Sequence, residues 1–310
     1  MAPGKHGSGA LSAIYVLGNA SIDVTLNVPR LPMAGETLMA HGIRRSPGGK
    51  GLNQAVVAAR AGARVHFCAP VGCEPEATII HRALANEAFA SLRLTETAFA
   101  TDLSTLIVAA DSENMIVSTG DCGDGLTPEI ARIFAAPMQP EDWLLVQGNL
   151  TEAATWEAVS QARQIVFNTA PIRWISRPIL AAATIVIANQ GEAAAITGLA
   201  DPTQSVCLLG GQIGIVTLGA AGCVVAEAGT VRRFLATPVT AVDSSGAGDV
   251  FCGVLTACLA LGDTLDIAIP HAQHAAAIAV SRAGCFGAFP SGAELGIVRA
   301  SSDRLAYSIG

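Results

Sequence analysis

Trp143-Leu144-Leu145-Val146-Gln147-Gly148 is a short apolar run that stops at a glycine, and the segment that follows, 151–163, starts at Thr151 with Glu152 behind it and reads as a capped helix. The same unit then recurs. Apolar runs at 165–168, 184–189 and 213–219 alternate with helix-length segments at 175–183 and 192–198, and upstream the runs 14–18 and 65–72 alternate with 52–61 and 76–88. Runs rich in Val, Ile and Leu that exit into Gly, Asn or Asp read as strands buried on both faces. Strand and helix alternating in this way imply an α/β fold with a mostly parallel central sheet, helices on both faces, and ligands gathered at the carboxyl ends of the strands.

Two regions break the rhythm. Residues 23–45 carry short extended pieces around Pro29, Pro32 and Gly35, and 103–119 reads as a hairpin with a polar turn at 111–114. A small β-sheet built from both would project from the main body as a lid. Residues 1–12 read as a disordered tail, 13–310 as one domain, and from Ala247 onward the pattern is helical, over 247–261, 267–282 and a last segment from Ala293.

The 310 residues are 51% hydrophobic and 14% charged, which excludes a disordered polypeptide. The net charge of −7 withholds the attraction that a nucleic-acid or polybasic membrane binder would use. No run reaches the ~18 apolar residues of a membrane span, so a cytoplasmic protein is expected. Eight cysteines are scattered through apolar stretches without zinc-site spacing and read as reduced core thiols. His271 and His274 are three apart on a helical segment, a spacing that puts both on one face, and read as core or groove-lining histidines.

The chemistry concentrates in Ser244-Ser245-Gly246-Ala247-Gly248-Asp249, just ahead of a long helix. Gly246 and Gly248 let backbone N–H groups converge at a helix N-terminus, which favours an anion. Asp249 beside such a nest is placed to take a proton from an attacking hydroxyl. Gly48-Gly49-Lys50-Gly51-Leu52-Asn53 opens another helix and holds one of only two lysines in the chain. It is not a Walker P-loop, and the first strand leads into Gly18-Asn19-Ala20-Ser21-Ile22-Asp23 rather than a dinucleotide fingerprint, which removes the best support for a dehydrogenase.

With Gly35-Glu36-Thr37, Gly48 to Ala55 and Asp243 to Phe251 in order, the chain resembles the ribokinase (PfkB) family of carbohydrate kinases over about 13–299. Between those motifs, Asn189-Gln190-Gly191-Glu192 is similar to the family's Asn-x-x-Glu motif and Thr217 to Gly222 to its nucleotide loop. The resemblance implies a three-layer αβα sandwich with a lid, a homodimer paired through it, and ATP-dependent phosphorylation of a sugar hydroxymethyl group, ribose first. It implies Asp249 as catalytic base, and Gly246, Ala247 and Gly248 as the anion hole. Ser21, Asp23, Gly49, Lys50 and Asn53 would hold the sugar, while Asn189, Glu192, Thr217, Gly219, Gly222 and Gly248 would serve ATP, Glu192 acting on Mg²⁺ indirectly. Asp243, Ser245, Ala279, Arg282 and Gly284 would surround a potassium ion.

Four positions depart from the ribokinase pattern. Ser21 replaces an asparagine, Asn149 stands where an acidic residue is frequent, Ser244 replaces a threonine, and Ala288 replaces a serine near the cation. Ser21 and Asn149 leave open another pentose, a ketohexose or a nucleoside such as pseudouridine as substrate, and because fold alone does not fix function, a non-catalytic sugar or nucleotide sensor on the same fold is the alternative from another class.

Overall fold

The structure is a computed structural model and describes residues 12–110 and 114–296; the tail at 1–12, the turn at 111–114 and the segment from 293 fall wholly or largely outside the described residues. In chain order the strands are β1 (Ala13–Leu17), β2 (Ser21–Val28), β3 (Ile43–Gly48), β4 (Arg64–Val71), β5 (Ser91–Glu96), β6 (Asp102–Ala109), β7 (Asn114–Ser118), β8 (Trp143–Gln147), β9 (Gln164–Asn168), β10 (Ile185–Asn189), β11 (Ile213–Thr217), β12 (Cys223–Glu227) and β13 (Thr230–Phe234). The helices are α1 (Lys50–Arg60), α2 (Ala77–Leu84), α3 (Asp121–Asp124), α4 (Pro128–Ala135), α5 (Glu152–Val159), α6 (Arg177–Ala182), α7 (Gln190–Thr197), α8 (Pro202–Ser205), α9 (Ala247–Ala260) and α10 (Leu265–Val280).

Nine strands form the large sheet in the order β13-β12-β11-β10-β9-β8-β1-β4-β5. It is parallel from β5 to β11, and only the β12 and β13 pairings are antiparallel. In β1 every residue is buried, and Val16 is level with Phe67 on one side and Leu145 on the other. A continuous apolar strand is what two covered faces require. One face is covered by α1, α9 and α10 through Leu52, Val56, Phe251, Leu255 and Ile269. The other is covered by α4 to α7 through Phe134, Ala154, Ile179 and Ala193. The molecule is therefore the expected αβα sandwich. From β1 the chain winds outward to β4 and β5, then returns to start β8 on the opposite side. The β1/β8 boundary is thus a topological switch point, where a crevice opens at the carboxyl ends of the strands.

The second sheet, β3-β2-β6-β7, is the expected lid. It starts at Ser21 rather than Asp23, and β2 joins the two irregular regions by pairing antiparallel with β3 and parallel with β6.

Several elements were not legible in the residues. Strand β5 lies at a sheet edge with mostly exposed or half-exposed side chains, so it lacks the apolar run of a central strand. The β12–β13 hairpin turns on Ala228 and Gly229, both at positive φ. His271 and His274 do not share an environment: His271 is buried and His274 exposed. Of the cysteines, all free, Cys73 and Cys207 are exposed rather than core residues.

Helix α1 is buried from Gly51 to Ala59, on both the sheet side and the α9 side. Its first turn abuts the exit of β1 so closely that a Cβ on Gly51 would lie 2.7 Å from the Asn19 nitrogen and the Gly18 backbone. Gly51→Ala should therefore force the α1 terminus away from β1. A loss of about 1–3 kcal/mol is expected, read as a lower urea midpoint at unchanged m-value.

Candidate active site

The elements meeting at the switch point deliver their polar side chains to one place. Asp249 sits in the first turn of α9 and is only 4% exposed. A buried carboxylate needs compensating donors. It has two amides from α1: Asn53 Nδ2 donates to Oδ2 at 2.9 Å, and Gln54 Nε2 donates to Oδ1 at 3.0 Å. Lys50 Nζ, from the same helix, stands 3.8 Å from Oδ1. The Asp249 charge holds the Lys50 ammonium above its ordinary pKa, against the opposing effect of burial.

The amides are oriented in turn. Because a carboxylate only accepts, Gln54 must present its NH₂ to Asp249, and its carbonyl then accepts from Gln147 Nε2 at 2.8 Å. Gln54 Nε2 also reaches Asn168 Oδ1 at 3.1 Å, and Asn168 Nδ2 donates to the Ile187 carbonyl. Ends of β8 and β9 are thereby tied to Asp249. Gln54, Gln147 and Asn168 were not singled out from the sequence. The signal for Gln54 was a second amide side chain, next to Asn53, directly ahead of the apolar run 55–59 of α1.

At the lid junction Asp23, on β2, lies over Gly48 and accepts weakly from Ser21 Oγ at 3.4 Å. Burial pushes its carboxyl up to about 6, helped by the Asp249 charge and opposed by Ser21 and Lys50. Thus Asp23, Lys50, Asn53 and Asp249 face one another across the crevice, with Ser21 and Gly49 at its edge.

Behind Asp249, Gly246 takes φ 77° as the N-cap of α9. A Cβ there would lie 2.6 Å from Cys285 Sγ, so only glycine fits. The turn is pinned by Asp243, whose Oδ1 accepts from Ser245 N at 2.9 Å and Oδ2 from Gly284 N at 3.0 Å. Burial pushes the Asp243 carboxyl up, but these N–H groups and the Arg44 guanidinium outweigh it and hold the pKa below its ordinary value. Arg44 reaches this turn from β3 and lies against Gly284. Ala279 in the last turn of α10 and Arg282 just past the helix lie close by, joined by an Arg282 N to Ala279 O bond of 3.1 Å.

An apolar cleft of about 380 Å³ opens on the far side of Gly248, between Thr217, Gly219, Gly222, Pro238, Phe251 and Val280. Asn189 and Glu192 form a reciprocal cap on α7: Asn189 Oδ1 accepts from Glu192 N at 2.8 Å, and Glu192 Oε2 accepts from Asn189 N at 2.9 Å. Thr169 Oγ1 donates to the same Glu192 oxygen, and the Glu192 charge is felt at Lys50. Arrayed in order are therefore a crevice lined by polar side chains, a buried carboxylate in the first turn of α9, and an apolar cleft.

A profile of the pfkB family carbohydrate kinases matches residues 12–291. A ribokinase of Haemophilus influenzae is 32% identical over 294 residues, covering 91% of this chain and 96% of that protein. Among solved structures, a Thermotoga maritima ribokinase superposes with TM-score 0.84 at 25% identity, covering 93% of this chain and 99% of that one. Arabidopsis thaliana ribokinase, solved complexed with ribose and ATP, shares the fold with TM-score 0.81 at 21% identity, over 94% of this chain and 99% of its own.

Asp23 carries a testable cost. Its pKa of about 6 lies above the ordinary carboxylate value, so folding favours the protonated form. The stabilising contribution is present below about pH 4 and is lost as pH rises through 6. Asp23→Asn should stabilise the ligand-free protein on the order of 1–2 kcal/mol at pH 7.5 and by nothing at pH 4, read from denaturant midpoints.

Proposed function

The chain belongs to the pfkB family of carbohydrate kinases, and we propose that it transfers the γ-phosphoryl group of ATP to the hydroxymethyl oxygen of a sugar, with ribose as the substrate. The observation that carries this reading is Asp249, a buried carboxylate held by two amide donors at the N-terminus of α9, between the crevice and the cleft. The ribokinases among its relatives support ribose over the other sugars.

In this reading Asp23, Lys50 and Asn53 hold the sugar hydroxyls from the lid side, with Ser21 and Gly49 shaping that edge. Asp249 accepts the proton of the attacking hydroxyl as the new O–P bond forms. The N–H groups of Gly246, Ala247 and Gly248, with the α9 dipole, stabilise charge on the phosphoryl group in flight. Asn53, donating to Asp249 while facing the sugar, links binding to orientation of the base. The cleft at Thr217, Gly219 and Gly222 takes the nucleotide, its apolar walls suiting a flat base. Magnesium fits the arrangement: Glu192 supplies negative charge beside the α7 cap and within electrostatic reach of Lys50, and with Asn189 would hold the hydrated ion that neutralises the phosphates.

Potassium fits less well. Both Asp243 oxygens already accept backbone N–H groups, and the Arg44 guanidinium supplies positive charge at the same turn.

Asp249→Asn should leave ribose and ATP binding near wild type while kcat for ADP release falls about 10²–10⁴-fold. Unchanged turnover would remove Asp249 as the base. ADP release across ribose, other pentoses, ketohexoses and nucleosides, with and without potassium, should single out ribose and show little response to the cation.

The lid leaves Ile43, Met115, Ile116 and Val117 exposed on a sheet whose outer strands β3 and β7 have free edges among the described residues. Free strand edges flanked by exposed apolar side chains seek a partner. We infer a homodimer paired through the lid. Sedimentation equilibrium should give twice the chain mass, and Val117→Lys should shift it toward one chain.

A further inference from the structure

Helices α9 and α10 are joined by a tight turn remote from the crevice. Helix α9 ends in a left-handed Gly262, with Gly262 N bonded to Leu259 O and Asp263 N to Cys258 O at 3.0 Å. This is the Schellman arrangement, and it fixes Asp263 directly beside Cys258. From the second turn of α10, His271 points back at the same spot, with Nδ1 3.6 Å from Cys258 Sγ. One donor atom from each of Cys258, Asp263 and His271 lies within 4.8 Å of the other two.

We propose that Cys258, Asp263 and His271 form a binding site for a divalent metal ion of the zinc class. Zinc bonds of about 2.3 Å to sulfur and 2.0–2.1 Å to nitrogen, at a tetrahedral angle, put the two donors about 3.6 Å apart. Cys258 and His271 already stand at that separation. A thiolate, a carboxylate and an imidazole suit zinc or its close neighbours, whereas magnesium and calcium take oxygen donors. Charge balance favours occupancy as well. A thiolate and a carboxylate together neutralise a doubly charged ion, so the filled site places no net charge among buried groups. Cys258 and His271 are 5% and 2% exposed, and the partly exposed Asp263 gives the ion a way in.

On binding, the Cys258 thiol gives its proton to solvent, the Cys258 sulfur, an Asp263 oxygen and a His271 ring nitrogen bond the ion, and the fourth tetrahedral position takes water. Nine residues of α9 separate Cys258 from Asp249, about 14 Å along the axis, so the ion would not touch the reacting atoms. It would clamp the α9–α10 turn. Sequence spacing hid the set, because five and eight residues across a helix end and a turn match no zinc motif.

The test uses the full chain, stripped with a chelator and titrated with cobalt(II) as the probe. One equivalent should bind with tetrahedral ligand-field bands and a thiolate-to-cobalt charge-transfer band. Cys258→Ala and His271→Leu should each abolish the charge-transfer band, while a variant lacking the exposed thiols, Cys73→Ala with Cys207→Ala, should keep it. Asp263→Asn, a change at a partly exposed turn that the fold should tolerate, should weaken cobalt affinity about tenfold or more. Absence of the band in the wild type, its survival in Cys258→Ala, or unchanged affinity in Asp263→Asn would overturn the site. None of these readouts depends on kinase turnover.

Discussion

A carboxylate buried at the start of α9 has to be compensated, and most of what surrounds it follows from that requirement. Asp249 draws Asn53 and Gln54 from α1, and these reach it only because α1 is set directly against α9. Gln54 in turn has to be held in one amide orientation, which commits Gln147 at the end of β8 and Asn168 at the end of β9. The network is buried, and these bonds set the amide orientation of Gln54, while Asn53 Oδ1 and Gln147 Oε1 are left without a hydrogen-bond partner among the described residues. Lys50 completes it at the solvent side, where its charge is shared between Asp249 and the wider acidic site.

Such convergence depends on close packing of backbone. Gly51 lets α1 touch the exit of β1, and Gly253 lets α9 touch α1, since a Cβ there would be 2.5 Å from the Gln54 carbonyl. Small residues at these two contacts bring three elements close enough for short amide side chains to bridge them. The Asp23 carboxyl is the counterweight. It is held partly desolvated at the lid junction with one weak hydrogen bond, a cost that the proposed role in binding sugar hydroxyls would account for.

The sandwich was legible because strands covered on both faces must be continuously apolar, and β1, β4 and β8 to β11 are. The lid was legible by exception, as two stretches that fit no crossover helix. Edge elements escaped: β5 is half in solvent, and β13 alternates too weakly to stand out. Among site residues, those in local motifs such as Gly246 to Asp249 and Gly49 to Asn53 could be quoted directly, since a helix N-terminus and its nest are made by neighbours in the chain. Glu192 was legible only through its place in the Asn-x-x-Glu motif of the resemblance, and the sequence does not show that the α7 cap and Thr169 share one of its oxygens.

By itself, then, the sequence determined the alternation of strands and helices, the anion-attracting turn, and the residue types available for proton transfer and hydroxyl binding. Those properties arise from periodicity and from contacts a few residues apart. Tertiary structure alone decided that Gln147 orients Gln54 across 93 positions, that Asn53 meets Asp249 across 196, and that Arg44 of the lid stands over the Asp243 turn. It alone decided that Cys258, Asp263 and His271 converge. Side-chain proximity between remote segments is set by the packing of whole layers, and no local pattern of residues encodes it.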